Sequence, residues 1–217
     1  MTKLQEQQPG VRTIILNGWA AREEAWDKCR FARDAVFSYT DHIDGVTLSA
    51  FDSAEKVSIA AWSMGGTYAL SLALRNPAKI KKMLLLAATP RMTRDEETSW
   101  PGMSPRRVKA LELGLKMTLD TSALHHEAYF LDSEKNLERG LDYLRNTDLR
   151  KELIERRNEF ANIEVEIFNS EKDPIVRKEH AEFLASVFPS SRLEIVPGAD
   201  HALPLIIADK IDEFFIR

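Results

Sequence analysis

Apolar residues fall into short runs along this chain, each closed by a turn and followed by an amphipathic stretch. The first run is Val11–Leu16 (VRTIIL), rich in β-branched residues and ending at Asn17-Gly18. Ala35–Tyr39 is a weaker second, Val57–Trp62 (VSIAAW) the third and Met83–Ala87 (MLLLA) the fourth. Ile163–Phe168 (IEVEIF) alternates, as a strand less buried on one face would, and Leu193–Val196 (LEIV) is the last. These patterns predict strands. Between them, Met64–Arg75 carries Ala69, Leu70, Ala73 and Leu74 at helical spacing, with Pro77 just past its end; this predicts a helix. Arg177–Val187 and Leu205–Phe215 predict two more, and His180 is expected on the surface of the first of them. Strands alternating with helices imply a parallel sheet with right-handed crossovers.

The alternation breaks between Pro90 and about Phe160. Ser104-Pro105 reads as a helix start, serine at the N-cap and proline at the first helical position. Val108, Leu111, Leu115 and Leu119 then follow on one face. Further helices are expected near Ser122–Leu131 and Ser133–Leu144. The expected organisation is therefore a core formed by residues 1–90 and 158–217, with a helical insertion, residues 91–157, after the fourth strand.

Composition narrows the class. The 217 residues hold 30 basic and 34 acidic side chains, for a net charge of −4, and 44% of them are hydrophobic. That describes an ordinary globular chain long enough to bury a core, and the balance argues against a nucleic-acid partner. No apolar run approaches a membrane span. Met1–Gly10 is polar and shows no secretory signal, so the expected compartment is the cytoplasm. A single cysteine, Cys29, excludes an internal disulfide and a cysteine-rich metal site.

Candidate chemistry sits in the turns. Ala61-Trp62-Ser63-Met64-Gly65-Gly66 lies directly between a predicted strand and a predicted helix. There G-x-S-x-G forms a nucleophile elbow, a sharp turn that lifts the serine above the sheet and requires small residues two positions to either side. Ala61 replaces the first glycine and is small enough to fit; the plainer reading of Ser63 is a helix N-cap. A serine hydroxyl needs a histidine to take its proton and an acid to hold the histidine's tautomer. Of His42, His125, His126, His180 and His201, His201 lies in the loop just after the last predicted strand, in Val196-Pro197-Gly198-Ala199-Asp200-His201, while His180 falls in a predicted helix and His125 and His126 in the insertion. Asp173 follows the fifth strand, before Pro174. Ser63, Asp173 and His201 thus occur in the order Ser…Asp…His, each in a loop at the carboxyl edge of the sheet, where open α/β sheets build their sites. The oxyanion donors expected of such an elbow are the N–H after the nucleophile, Met64, and one from the loop after the first strand, Trp19.

With these residues in place the chain resembles the α/β-hydrolases, and within them the pimeloyl-[acyl-carrier protein] methyl ester carboxylesterases of biotin synthesis. The resemblance covers about residues 11–215. It rests on Asn17-Gly18-Trp19, where the family has His-Gly-Trp; on Trp62-Ser63-Met64-Gly65-Gly66; on Trp100-Pro101-Gly102-Met103, which opens the family's lid; and on Gly140-Leu141-Asp142-Tyr143-Leu144 with Asp148-Leu149-Arg150, which closes it. The departures are Ala61 and Asn17. The resemblance implies an α/β-hydrolase fold with a minimal, mostly parallel sheet of about six strands and a helical lid. It also implies nucleophile Ser63, acid Asp173, base His201 and oxyanion donors Trp19 and Met64. The implied reaction is hydrolysis of the methyl ester of a pimeloyl chain carried on acyl carrier protein, with no metal or organic cofactor.

Trp19, Leu111, Leu115, Tyr129 and Phe130 are expected to line the acyl site. Arg106-Arg107-Lys109 and Arg150-Lys151 with Arg156-Arg157 are local basic clusters that would steer an acidic carrier, or are ordinary solvated helix faces. The rival functions are a generalist short-chain esterase or thioesterase and a non-catalytic binding protein of the same fold. The chain is short for a lidded α/β-hydrolase. Ten residues precede the first strand, so the usual N-terminal antiparallel strands are expected to be missing. Only 44 positions separate Trp19 from Ser63, so little more than one strand is expected between them.

Overall fold

A computed structural model describes residues 11–38, 45–120 and 134–216, with the side chains of 38, 46, 114–120 and 134 excepted. Six strands form one sheet: β1 (Val11–Leu16), β2 (Val36–Ser38), β3 (Lys56–Trp62), β4 (Ile80–Leu86), β5 (Glu164–Ser170) and β6 (Ser191–Val196). The order is β2-β1-β3-β4-β5-β6 and every pairing is parallel. The expected sheet was mostly parallel; the described one is wholly so.

Alternate strand residues serve opposite faces. Ile14, Leu16, Ile59, Ala61, Met83 and Leu85 pack on one side with helices α1 (Val46–Ser53), α2 (Met64–Arg75) and α6 (Lys178–Val187). Ile15, Ala60, Trp62, Leu84, Leu86 and Phe168 pack on the other, with Trp26 and helices α7 (Leu203–Ile206) and α8 (Ala208–Ile216). Because both faces are covered, β1, β3 and β4 read as nearly unbroken apolar runs. The register pairs Leu16 with Ala61, Trp62 with Leu86, Leu86 with Phe168 and Ser170 with Val196. The loops after β1, β3, β4, β5 and β6 therefore open at a single edge.

Three expectations need correction. The connection between Trp19 and Ser63 holds more than a strand: two 3-10 turns (Glu23–Trp26 and Arg30–Asp34), β2, α1 and β3. The helix expected over Leu205–Phe215 is two, broken at Ile207. β4 starts at Ile80 rather than Met83, because Lys82 interrupts the apolar pattern while its stem is buried and its Nζ donates to the Phe214 carbonyl at 3.0 Å.

Between β4 and β5 lie α3 (Pro105–Asp120), α4 (Glu134–Asn146) and α5 (Arg150–Glu155). The ends of this helical segment are fastened together. Arg91 pairs with Asp95 and Asp148 at 3.1 and 2.6 Å, and Arg150 with the same two carboxylates at 2.7 and 2.9 Å. Hydrogen bonds from Arg150 hold both carboxyls down to about 2. The Trp100-Pro101-Gly102-Met103 motif packs here. The Trp100 indole donates to the Arg91 carbonyl at 2.8 Å, and its ring lies under the Arg150 guanidinium and against His180. Of the two basic clusters, then, Arg150 is taken up by these acids and Arg156 by Glu152 and Glu159, whereas Arg106 and Lys109 on α3 are exposed.

Among the described residues no helix is long and apolar enough to cross a membrane, and no group of histidine, cysteine and acidic side chains could hold a metal ion. Cys29 is buried, and burial pushes its thiol up to about 12, far from any nucleophilic role.

Candidate active site

The turn after β3 is tight. Ser63 has φ 55° and ψ −117°, a left-handed backbone that costs a non-glycine residue about 1–3 kcal/mol and persists only where its surroundings enforce it. They do so through packing. A Cβ on Gly65 would lie 2.0 Å from the Leu16 carbonyl oxygen, and one on Gly66 would lie 2.3 Å from Ala88 Cβ. Ala61, in place of the usual glycine, is wholly buried beside Leu16 and fits. Ser63 occupies the N-cap position of α2, but its hydroxyl caps nothing. It faces His201 Nε2 at 2.9 Å.

His201 arrives from the loop after β6. Its Nδ1 lies 2.8 Å from Asp173 Oδ2, and the Asp173 side chain is fully buried. The other carboxylate oxygen accepts the backbone N–H groups of Ile175 and Val176 at 2.8 and 2.9 Å. Asp173 is all acceptor, so His201 Nδ1 carries the proton and Nε2 turns a lone pair toward the serine hydroxyl. The two loops are laced together. Lys172 N–H donates to the Ala199 carbonyl at 3.2 Å, Gly198 N–H to Glu171 Oε2 at 3.0 Å, and the Ser170 hydroxyl to the Asp200 carbonyl.

Sequence reasoning missed several supporting groups. Trp62 donates its indole N–H to the His201 carbonyl at 2.8 Å and so pins the histidine's backbone. Asn169 Nδ2 donates to the Val176 carbonyl at 3.1 Å, bracing the loop that carries Asp173. Its signal was present, as an asparagine directly after the alternating run Ile163–Phe168, at the carboxyl end of the strand.

Trp19 and Met64 flank the serine. Neither main-chain N–H has a hydrogen-bond partner among the described residues, and Met64 is the first residue of α2, whose positive dipole end lies beneath the site. Gly18 permits the approach: a Cβ there would meet Trp62 and Ser63 at 3.3 and 3.4 Å. Asn17 is buried and takes the Trp26 indole N–H on Oδ1 at 2.5 Å, which fixes the start of this loop.

A cavity of about 270 Å³ opens above Ser63. Its wall is mainly apolar, with Met64, Met92, Leu111, Leu144 and Ile175 among the lining residues, and His201 is the only titratable side chain on it among the described residues. Of the expected acyl-site residues, Trp19 and Leu111 line it. Leu115 falls on α3, but its side chain, like Tyr129, Phe130, His42, His125, His126 and the helix expected at Ser122–Leu131, lies outside the described residues.

His180 was expected on the surface and is instead 1% exposed. It shares a face of α6 with Leu184 and Val187, and its Nδ1 lies 2.7 Å from the Thr89 hydroxyl, behind the cavity wall. The spacing of 180, 184 and 187 was the available signal. Burial holds its pKa down to about 4, against smaller opposing pulls from the Pro101 carbonyl, Glu179 and Asp173. The unfolded chain protonates this residue near pH 6.5 and the folded one does not, so stability present above pH 6.5 is lost as pH falls toward 4, by up to about 3 kcal/mol. Calorimetric melting between pH 7 and pH 4 should show this loss, and His180→Gln should flatten it; an equally steep profile in the variant would refute the assignment.

Known proteins agree with this architecture. The sequence profile of the alpha/beta hydrolase fold family matches residues 35–206. The pimeloyl-[acyl-carrier protein] methyl ester esterase of Nitrosospira multiformis is 25% identical, over 96% of this chain and 94% of the relative. Human serine hydrolase BPHL is 30% identical over 82% of this chain, which spans 60% of that protein's length. Among solved structures, the esterase EaEST of Exiguobacterium antarcticum superposes with a TM-score of 0.72 at 20% identity, covering 95% of this chain and 91% of its own. With the profile matched over most of its length and a six-stranded parallel sheet to carry it, this chain belongs to the alpha/beta hydrolase family.

Proposed function

We propose that the protein is a serine carboxylesterase. The observation that carries this is the unbroken chain from Ser63 Oγ through His201 to a buried Asp173 that accepts three hydrogen bonds. In this reading His201 Nε2 takes the Ser63 proton as Oγ attacks the ester carbonyl. The oxyanion forms against the N–H groups of Trp19 and Met64. The imidazolium returns the proton to the departing alcohol, leaving an acyl-enzyme. Water, activated by the same nitrogen, then releases the acid. No step calls on a metal or organic cofactor.

The substrate we favour is the methyl ester of a pimeloyl chain on acyl carrier protein. Several relatives that carry the name of that esterase, at 22–25% identity over most of this chain, support it. The apolar cavity suits an uncharged acyl segment, and the exposed Arg106 and Lys109 offer an acidic carrier a place to approach. A generalist short-chain esterase or thioesterase is the second reading, favoured by a cavity just below the usual range for ligand pockets.

Comparing kcat/KM on the pimeloyl-carrier methyl ester with that on p-nitrophenyl butyrate separates the two: preference for the carrier ester supports the first, turnover of only the small ester the second. The remaining rival, a binding protein without catalysis, predicts that a fluorophosphonate probe leaves Ser63 unmodified; we expect stoichiometric labelling, abolished in Ser63→Ala. We place the protein among cytoplasmic biosynthetic enzymes and propose residues 91–157 as the lid of this site, with the remainder as its core.

A further inference from the structure

The loop that carries the Trp19 N–H is under strain and is held from two sides. Ala20, its next residue, has φ 58°, a left-handed conformation that its own Cβ disfavours. On the core side, the Trp26 indole N–H grips Asn17. On the other, the Trp19 indole reaches 118 positions along the chain and donates to the Leu137 carbonyl of α4 at 2.8 Å. One turn further along α4, Gly140 makes a notch for this ring. A Cβ there would stand 2.9 Å from Trp19 Cδ1 and 3.2 Å from Met64 Sδ. A glycine inside a helix costs about 1 kcal/mol relative to alanine, so its presence needs a packing reason, and this notch supplies one. α4 is itself seated: Leu141 and Leu144 are buried with Met64 and Met92, and the Tyr143 hydroxyl bonds Ser71 Oγ of α2 at 2.9 Å.

We infer that α4 completes the oxyanion hole: through the Leu137 carbonyl and the Gly140 notch it positions the Trp19 side chain, and with it the Trp19 N–H. The inference rests on the reading of Ser63 as nucleophile. Its consequence is that the helical segment sets the rate of the chemical step as well as covering the cavity. Leu137 and Gly140 are in this sense positioning residues, acting through Trp19.

Two variants test this. Trp19→Phe keeps the main-chain N–H and most of the ring but loses the indole donor. Gly140→Ala raises helix propensity while filling the notch. Losing an oxyanion donor outright costs about 10²–10³ in kcat, so displacing one should cost roughly 10- to 100-fold. With p-nitrophenyl butyrate as substrate, kcat should fall by that factor in both variants while KM stays within about threefold. Inhibition by butylboronic acid, whose adduct places an oxyanion at the same point, should weaken in parallel with kcat.

A merely structural role for the ring, as cavity wall, would instead raise KM and leave kcat alone. That outcome, or unchanged kcat in both variants, overturns the inference. If Trp19→Phe does not fold, as judged by its melting curve, Gly140→Ala carries the test alone, since alanine favours the helix. Failure of the underlying reading looks different: the unsubstituted protein would then neither hydrolyse the ester nor be labelled at Ser63.

Discussion

Ser63→Ala is expected to lower kcat by about 10⁶ while leaving the fold and its melting temperature nearly unchanged. The size follows from how the three groups work. Without the hydroxyl there is no acyl-enzyme, and the histidine and aspartate have nothing to activate, so removing the nucleophile alone costs about as much as removing the whole set. The intact fold follows from the turn. Alanine keeps the Cβ, so the left-handed backbone at φ 55° is no more strained than before. The hydroxyl caps no helix end, so the N-terminus of α2 loses no partner with it. Steady-state hydrolysis of p-nitrophenyl butyrate, with a melting curve as control, decides the matter. Activity within about a hundredfold of the unsubstituted protein would remove Ser63 from its assigned role.

Asp173→Asn should cost about 10⁴ in kcat, and the structure gives the reason in detail. Oδ1 of Asp173 accepts two backbone N–H groups, from Ile175 and Val176. In the asparagine variant those donors select the orientation in which the amide oxygen replaces Oδ1. The amide nitrogen must then face His201 Nδ1, where a carboxylate oxygen stood at 2.8 Å. Two N–H donors cannot face each other, so the imidazole moves its proton to Nε2 and presents a donor to Ser63 where the reaction needs an acceptor. The loop keeps its hydrogen bonds, so the loss falls on kcat rather than on stability. A loss of less than about tenfold, measured in the same assay, would contradict the tautomer argument.

How much of this was legible before folding depends on the range over which each interaction acts. β1 and α2 match their expected bounds, Val11–Leu16 and Met64–Arg75, because their patterns are local: an apolar run closed by Asn17-Gly18, and a helical spacing stopped before Pro77. The short helix α1 escaped notice because Thr47, Ser49, Asp52 and Ser53 break up its apolar face. The clasp of Arg91 and Arg150 on Asp95 and Asp148 also escaped, since a list of charges does not say which of them will pair. His180 was misplaced for a related reason: histidine is intermediate between buried and exposed types, and its packing against Trp100 and Thr89 decides for burial.

The sequence by itself determined the alternation of strands and helices, the small residues around Ser63, and the order Ser63, Asp173, His201 in post-strand loops. These are properties of local periodicity and of chain order, and a parallel sheet turns them into shared position at one edge. Tertiary structure alone decided the orientation of those side chains and what holds them. The Trp62 indole on the His201 carbonyl, the Asn169 brace and the Trp19 indole on Leu137 each join segments through one hydrogen bond whose partner is a backbone carbonyl. Every residue has such a carbonyl, so no residue type marks the acceptor, and only the packed fold selects one.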